Sequence, residues 1–427
     1  MDQIILHPVK KIGGEILIPG SKSISNRALL LAAVSKGNTS LNNILKSEDT
    51  DVMIRALRQL GISITRKEDL PACEVSGIGG KFKVPVDRKF NLGNAGTAIR
   101  PLTAMLALLP GEFEIDGDQY MRERPIKHLI EALITLGAKV RYLSKIGCPP
   151  FKILGGNTNG GIVSVQGSVS SQYLTSLLMA LPLATADSVI KVQGDLVSKP
   201  YIDITLNLIK KFGGEIENDN YRTFFVKGNQ NFVSPGNHLI EGDASSASYF
   251  FGAAAIKNGK VRVNGLGENS VQGDYKFLDV IESMGAKVYR SDTWTEVTGN
   301  SLRGVDVDLN HIPDAAMTIA TMALFAKGST KIRNVYNWRV KETDRMHAMK
   351  EGLSKLGAKV TTTRDSIQID PPEKLANAEI ETYGDHRVAM SFSLAALGSA
   401  TIKIKDPDCT RKTFPDYFKS FAAISEF

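Results

Sequence analysis

The 427-residue sequence predicts an α/β protein of two similar lobes, each built from three repeated strand–helix–strand–helix–strand units with buried helices. Three observations lead there. A glycine recurs at nearly constant spacing, a second set of helical segments is apolar on every side, and the repeat period changes at mid-chain.

The repeat is carried by LGAKV. It stands in "LITLGAKVRY" (133–142) and "LSKLGAKVTT" (353–362), and as MGAKV in "IESMGAKVYR" (281–290). Looser copies are "LRQLGISITR" (57–66) and "IKKFGGEIEN" (209–218). The glycines are Gly61, Gly137, Gly213, Gly285 and Gly357, so the spacing is 76 residues twice and then 72 twice. A fixed period over five copies marks a structural repeat. Before each glycine, apolar residues fall at helical spacing, as at Ile126, Leu129, Ile130 and Leu133. The glycine then ends the helix in the left-handed conformation, and a short β-type run follows. "FPDYFKSFAAISEF" reads as a sixth helix of this kind without its strand, and the N-terminal strands are expected to supply the missing pairing.

Between these helices lie "LLLAAVSKG", "TAMLALLPG", "LTSLLMALPLA", "FFGAAAIKNG", "MTIATMALFAKG" and "SFSLAALG". They are alanine-rich and apolar all round, which predicts buried helices packed closely on one another. The change of period places a boundary near "SPGNHLIEGD" (234–243), where Pro and Gly punctuate the chain. Residues 1–20 with 241–427 are therefore expected to form one lobe and 21–240 the other. The chain would cross between them twice, with the active site in the cleft between the lobes.

Composition narrows the function. With 42% apolar and 23% charged residues, the chain reads as a soluble globular protein. No apolar run approaches the ~18 residues that span a bilayer, and the first residues do not follow a signal-peptide pattern. A cytoplasmic monomer is expected. The three cysteines, Cys73, Cys148 and Cys409, are far apart and form no CxxC pair. No HExxH, GxxxxGK[ST] or GxSxG occurs, so neither a metal nor a cofactor is expected. The formal charge of +7 suits anionic partners. A nucleic-acid-binding protein is the alternative of another class. Its cations should form a stripe with interleaved aromatics; here aromatics are 7% and the cations recur at helix starts.

Those starts carry the functional signal. The buried helices open in "GSKSISNR", "GNAGTAIR", "SVSSQYLT", "GDASSASY", "IPDAAMTI" and "GDHRVAMS". A helix N-terminus offers unpaired N–H groups and partial positive charge, which together make an anion site. Lys22, Arg27, Arg100, His386 and Arg387 stand at or near these starts, and Arg124, Lys341, Arg345 and Lys412 lead into the outer helices. Cations there oppose the helix dipole unless an anion binds between them. Arginine suits phosphate or carboxylate through its two-pronged guanidinium. With the carboxylates Asp314, Glu342 and Asp385, the pattern fits proton transfer between anionic substrates.

The stretches "GSKSISNRALLLAA", "LGNAGTAIRPLTA", "RERPI", "GSVSSQYLTSLLMALPL", "GDLVSKPYIDITLNLI", "EGDASSASYF", "NHIPDAAMTIATMALFAKG", "YNWRVKETDRM", "YGDHRVAM" and "CTRKTFPDYF" resemble the 5-enolpyruvylshikimate-3-phosphate synthase family from about Gly20 to Tyr417. The resemblance implies that the two lobes have the inverse α/β barrel-like enolpyruvyl transferase fold. It also implies transfer of the enolpyruvyl group of phosphoenolpyruvate to the 5-hydroxyl of shikimate 3-phosphate by addition and elimination, without a cofactor. It implies that Lys22, Ser23, Arg27, Ser170, Ser171, Gln172, Ser198, Tyr201, Asp314, Asn337 and Lys341 hold shikimate 3-phosphate. By the same resemblance Lys22, Gly96, Arg124, Gln172, Arg345, His386, Arg387 and Lys412 hold phosphoenolpyruvate. Asp314 would take the hydroxyl proton, and Lys22, Lys341 and Glu342 would serve the other proton transfers. Gly96, Thr97 and Pro101 match the glyphosate-sensitive arrangement. The sister enzyme acting on UDP-N-acetylglucosamine is the alternative within the fold. It usually carries a reactive cysteine on a Gly-rich loop, a context that neither Cys73 nor Cys148 has.

Overall fold

The computed structural model describes residues 2–67 and 70–427. The chain divides into a central unit, Gly20–Ile240, and a discontinuous unit, Met1–Pro19 with Glu241–Phe427. Among the described residues each unit has six α-helices and three sheets.

The central unit contains α1 (Lys22–Val34), α2 (Glu48–Gln59), α3 (Gly96–Ala107), α4 (Lys127–Thr135), α5 (Ser171–Ala180) and α6 (Lys199–Lys211). The odd-numbered helices are the alanine-rich ones. Every residue of α1 except Ser23 is buried, and α3 packs against both α1 and α5. Small side chains allow that approach without cavities. The even-numbered helices are amphipathic; α4 buries Leu129, Ile130, Ala132 and Leu133.

The discontinuous unit contains α7 (Ala244–Lys257), α8 (Phe277–Met284), α9 (Ala316–Met322), α10 (Arg345–Lys355), α11 (His386–Ser393) and α12 (Tyr417–Ala423). Here α9 packs against α7 and α11.

The repeat glycines end the outer helices as the sequence predicts. Gly61, Gly137, Gly213, Gly285 and Gly357 all have positive φ, between 78° and 118°. In each case the next residue's N–H returns to a carbonyl five residues earlier, as Ile62 does to Leu57 and Ala138 to Leu133. That pairing satisfies carbonyls that the helix end leaves open.

Each full repeat has one strand more than the sequence suggests. Around α3 and α4, Lys89–Asn91 and Gly111–Asp116 pair in parallel, and Phe151–Gly155 then pairs antiparallel with Gly111–Asp116. The strand after the repeat glycine, Lys139–Tyr142, lies at the edge. The returning strand is separated from it by the Gly- and Pro-containing loop "SKIGCPP", which masks the hairpin in sequence. In the sixth repeat Gln3–Leu6 supplies the antiparallel partner of Ile402–Lys405. Lys11–Leu17 pairs in parallel with Lys260–Asn264, and Asn237–Leu239 plays the same part beside Lys36–Asn42.

Candidate functional site

In the central unit, three buried helix starts and the leads into α4 and α6 carry the candidate residues. Lys22 is the first residue of α1 and is 8% exposed. Its ammonium lies 3.6 Å from the buried Asp49 carboxylate, in the first turn of α2. Arg27 is 4% exposed and, among the described residues, donates hydrogen bonds to neutral oxygens only. Nε donates to Thr205 Oγ1 at 2.9 Å and Nη1 to the Ser23 carbonyl at 2.9 Å. Nη2 donates to Thr175 Oγ1 at 3.3 Å and the Tyr201 carbonyl at 3.4 Å. Burial without a facing carboxylate lowers its pKa to about 10.

Ser170 is the N-cap of α5 and accepts from the Gln172 N–H at 3.3 Å, while Ser171 is buried. The Gln172 side chain accepts from Arg100 Nη1 at 2.5 Å, and Arg100 Nη2 reaches the Pro125 carbonyl at 3.1 Å. Arg124 Nη1 donates to the Asn94 carbonyl at 3.1 Å and its side-chain oxygen at 2.8 Å. Two guanidinium groups thus converge on the start of α3. A methyl group built on Gly96 would lie 2.5 Å from Arg100 Nη1 and 2.8 Å from Arg124 Nη2. The missing side chain leaves room for the cations that an anion would meet there. Ser198, the N-cap of α6, is buried with φ 56°. A non-glycine residue held there costs about 1–3 kcal/mol and is a usual mark of a functional position. Ser23, Arg27, Thr175, Ser198, Tyr201 and Thr205 are brought together across α1, α5 and the start of α6.

In the discontinuous unit the cations meet carboxylates. Asp314 does not cap a helix, because α9 begins at Ala316 behind Ala315. Its Oδ1 accepts from Arg345 Nη1 at 2.8 Å and lies 3.3 Å from Lys341 Nζ, and its Oδ2 lies 3.0 Å from Arg387 Nη2. Burial works to raise its pKa, but Arg387, Lys341 and Arg345 outweigh it and hold the carboxyl well below the ordinary range. Arg345 is 1% exposed and also binds Asp385, through Nε at 2.8 Å, and Glu342, through Nη2 at 2.9 Å. Burial alone would lower its pKa; Asp385, Glu342 and Asp314 raise it instead. Glu342 further lies 3.5 Å from Lys412. Lys341 has a lowered pKa, chiefly from burial, with Asp314 opposing the fall. Asp385 caps α11 through the Arg387 N–H at 2.9 Å. The preceding Gly384 has φ 66°, which that turn requires. His386, Arg387, Asn337 and Lys412 are all buried beside these groups.

The sequence pattern treated all six buried-helix starts alike, but the start of α7 is filled by the chain's own acceptors. Asp243 takes the Ser246 N–H, Gln272 Oε1 the Ala244 N–H, and Asp274 the Ser245 hydroxyl. Asp274 is pushed up to about 7, first by burial and then by Asp314. Sequence reasoning also missed Asp49, Thr175, Thr205 and Trp338. Acidic residues at the start of α2 were visible in "SEDTD", yet nothing in sequence ties them to Lys22.

Among the described residues no cluster of His, Cys, Asp and Glu could hold a metal ion, and no helix is long and apolar enough to cross a membrane. Cys73 is buried in the strand Ala72–Ile78, and burial pushes its thiol up to about 11. Burial raises Cys148 as well. Neither has the character of a nucleophilic thiolate.

Six sheets wrapped on buried helices, with cations gathered at the helix starts, define an enolpyruvyl-transferase architecture. The enolpyruvyl transferase NikO of Streptomyces tendae shares the fold, with a TM-score of 0.80 at 15% identity over 99% of this chain and 98% of that one. The family model of EPSP synthase (3-phosphoshikimate 1-carboxyvinyltransferase) matches residues 6–421, and the chain belongs to that family. It is 56% identical over 426 residues to the 3-phosphoshikimate 1-carboxyvinyltransferase of Escherichia coli (strain SMS-3-5 / SECEC), covering 100% of both chains. The solved EPSP synthase of Acinetobacter baumannii superposes with a TM-score of 0.84 at 26% identity, covering 100% of this chain and 98% of that one.

Proposed function

We propose that the chain carries out its family's reaction with the two clusters dividing the work. The hydroxyl-rich pocket around Arg27 takes the phosphate of shikimate 3-phosphate, with Lys22, Ser23, Ser170, Ser171, Gln172, Ser198 and Tyr201. Asp314, Asn337 and Lys341 complete its contacts. Phosphoenolpyruvate engages Lys22, Arg124, Gln172 and the start of α3 at Gly96 in the central unit, and Arg345, His386, Arg387 and Lys412 in the discontinuous unit. Each substrate brings a phosphate and a carboxylate, and cations held in a water-poor site offset their mutual repulsion.

The 5-hydroxyl oxygen bonds to C2 of phosphoenolpyruvate as a proton adds to C3. The tetrahedral adduct then loses phosphate from C2 and a proton from C3, which restores the vinyl group. Asp314 receives the hydroxyl proton; Lys22, Lys341 and Glu342 are the candidates at C3 and the leaving phosphate. The observation that carries this reading is Asp314, buried yet kept as a carboxylate by three cations. Glyphosate is expected to compete with phosphoenolpyruvate, and the protein to act as a cytoplasmic monomer.

The test is phosphate release from phosphoenolpyruvate with shikimate 3-phosphate against UDP-N-acetylglucosamine. Turnover is expected with the first alone. Asp314→Asn should lower turnover about 10²- to 10⁴-fold; near-normal turnover would remove Asp314 as the base.

A further inference from the structure

Asp314 and the residues Asn337, Lys341 and Glu342 come from different stretches of the chain. Asp314 follows the turn at Pro313, before α9. The other three lie in and just after the short helical segment Tyr336–Val340. The ion pair of Lys341 with Asp314 joins the two stretches, but both side chains are ones assigned to ligand. One joint is of another kind. Trp338 is 0% exposed, and its indole Nε1 donates to the Pro313 carbonyl at 2.6 Å. Its own N–H is bonded to the Val335 carbonyl at 3.0 Å, and the Val335 N–H to the Asp365 carbonyl at 2.9 Å. Next to it Arg339 donates to the Arg364 and Thr363 carbonyls and to Asp344. The Tyr336–Val340 segment is therefore fixed to the turn between the antiparallel strands Lys359–Thr362 and Ile367–Asp370, and the indole extends that fixed point to the residue before Asp314.

We propose that Trp338 is a positioning residue for the carboxylate of Asp314. Its indole N–H holds the Pro313 carbonyl, and so sets where Asp314 projects relative to Asn337 and Lys341. This rests on the reading of Asp314 as the base. A flat, buried ring has few alternative rotamers, so the bond fixes direction as well as distance. Ångström-scale misplacement of a reacting group can cost about 10²-fold in rate, while a group that only binds substrate would show its loss in KM.

The chain has two tryptophans, Trp294 and Trp338. In a Trp294→Phe background the remaining indole can be replaced biosynthetically by 3-benzothienylalanine, which exchanges N–H for sulfur at nearly constant shape. Trp338→Phe in the same background gives a second variant with the same lost donor. We expect kcat to fall about 10- to 100-fold in both, with either KM changed by less than about threefold. Replacement by 7-azatryptophan keeps the ring N–H and should restore most of kcat. Unfolding temperatures report whether the ring still packs. Full turnover with the sulfur analogue, or a loss confined to KM, overturns the proposal. Asp314→Asn run in parallel separates the two levels. If it lowers turnover while the sulfur analogue leaves kcat unchanged, Trp338 is only a packing residue; if Asp314→Asn turns over normally, the reading of the base falls and this inference with it.

Discussion

Arg27 and Arg345 are both almost wholly buried, and they are buried in opposite ways. Arg27 is held by hydroxyl and carbonyl oxygens of Ser23, Thr175, Tyr201 and Thr205. Arg345 is surrounded by Asp314, Glu342 and Asp385. Burial draws the first pKa down to about 10, whereas three carboxylates drive the second upward. The difference teaches what each cluster is prepared to do. Neutral acceptors orient Arg27 and leave its charge to be balanced by a ligand. Around Arg345 the charge is already balanced from within, so an arriving anion must compete with the protein's own carboxylates.

The sharpest way to break this comparison is to make the same substitution at both arginines. Arg27→Met keeps the aliphatic stem and removes a buried charge that no carboxylate balances, so the unfolding temperature should change little. Binding of shikimate 3-phosphate should weaken by the ~2–5 kcal/mol typical of a truncated buried charge contact, or roughly 30-fold and upward. Arg345→Met removes the buried cation shared by Asp314, Glu342 and Asp385 and should cost about 3–5 kcal/mol of stability. Calorimetric scans of both proteins, with titration of shikimate 3-phosphate, decide the matter. Equal stability losses would mean that the two arginines are not differently compensated.

Gly96→Ala probes the central unit's side of the comparison. The added methyl meets Arg100 and Arg124 at their flexible ends, so the guanidiniums must shift. Overpacking of about 1–3 kcal/mol corresponds to a factor of about 5–150. Glyphosate, longer than phosphoenolpyruvate, should lose more of its binding than the substrate does. Inhibition constants and KM for both proteins measure this, and unchanged inhibition would remove the close-approach reading of the α3 start.

The discontinuous unit makes the subtler prediction. If Asp314 competes with phosphoenolpyruvate for Arg345 and Arg387, then Asp314→Asn should bind inorganic phosphate or phosphoenolpyruvate more tightly even as turnover collapses. A gain of roughly 3- to 10-fold, or about 0.7–1.4 kcal/mol, is expected by titration calorimetry at pH 7.5. Weaker binding would show that Asp314 orders those cations for the ligand and does not occupy them.

The contrast between the units was only half legible in sequence. The glycine period and the all-apolar helices marked the repeat, because helix termination and burial are local properties of the chain. The cations were equally visible, since charge at a helix start conflicts with the dipole wherever the chain goes. Which carboxylate answers which cation was not visible. Asp385 and Arg345 are 40 residues apart, and Asp49 and Lys22 face each other only because α2 packs on α1. The hydroxyls that hold Arg27 sit on α5 and α6, where Thr175 and Thr205 looked like ordinary helix residues. The returning strands were missed for a like reason, since their pairing is set by sheet register and not by local pattern.

Desolvation without a facing acid acts on a third group, and here the outcome is reversed. His238 lies in the strand Asn237–Leu239 of the central unit, 7% exposed, edge-on to Phe212 at 6.2 Å and near Lys211. Its Nε2 has no hydrogen-bond partner among the described residues. Arg27 keeps its proton because its intrinsic pKa is high enough to survive the penalty; His238 does not. Burial, helped by Lys211, lowers it to about 4 from an ordinary value of 6.5. Above pH 6.5 neither the folded nor the unfolded state carries this proton, so it contributes no pH dependence. Between pH 6.5 and 4 the unfolded chain gains a proton that the folded chain refuses, and stability falls as pH falls. Below about pH 4 both states are charged and the loss stops growing. His238→Phe removes the titration while keeping an aromatic against Phe212. Unfolding temperatures of the two proteins, each taken relative to its own value at pH 7.5, should diverge as the pH is lowered to 4.5, with the wild type falling further by about 2–4 °C for each kcal/mol involved. Parallel curves through that window would mean that His238 charges in place, and that burial in the central unit penalises a cation less than the Arg27 shift implies.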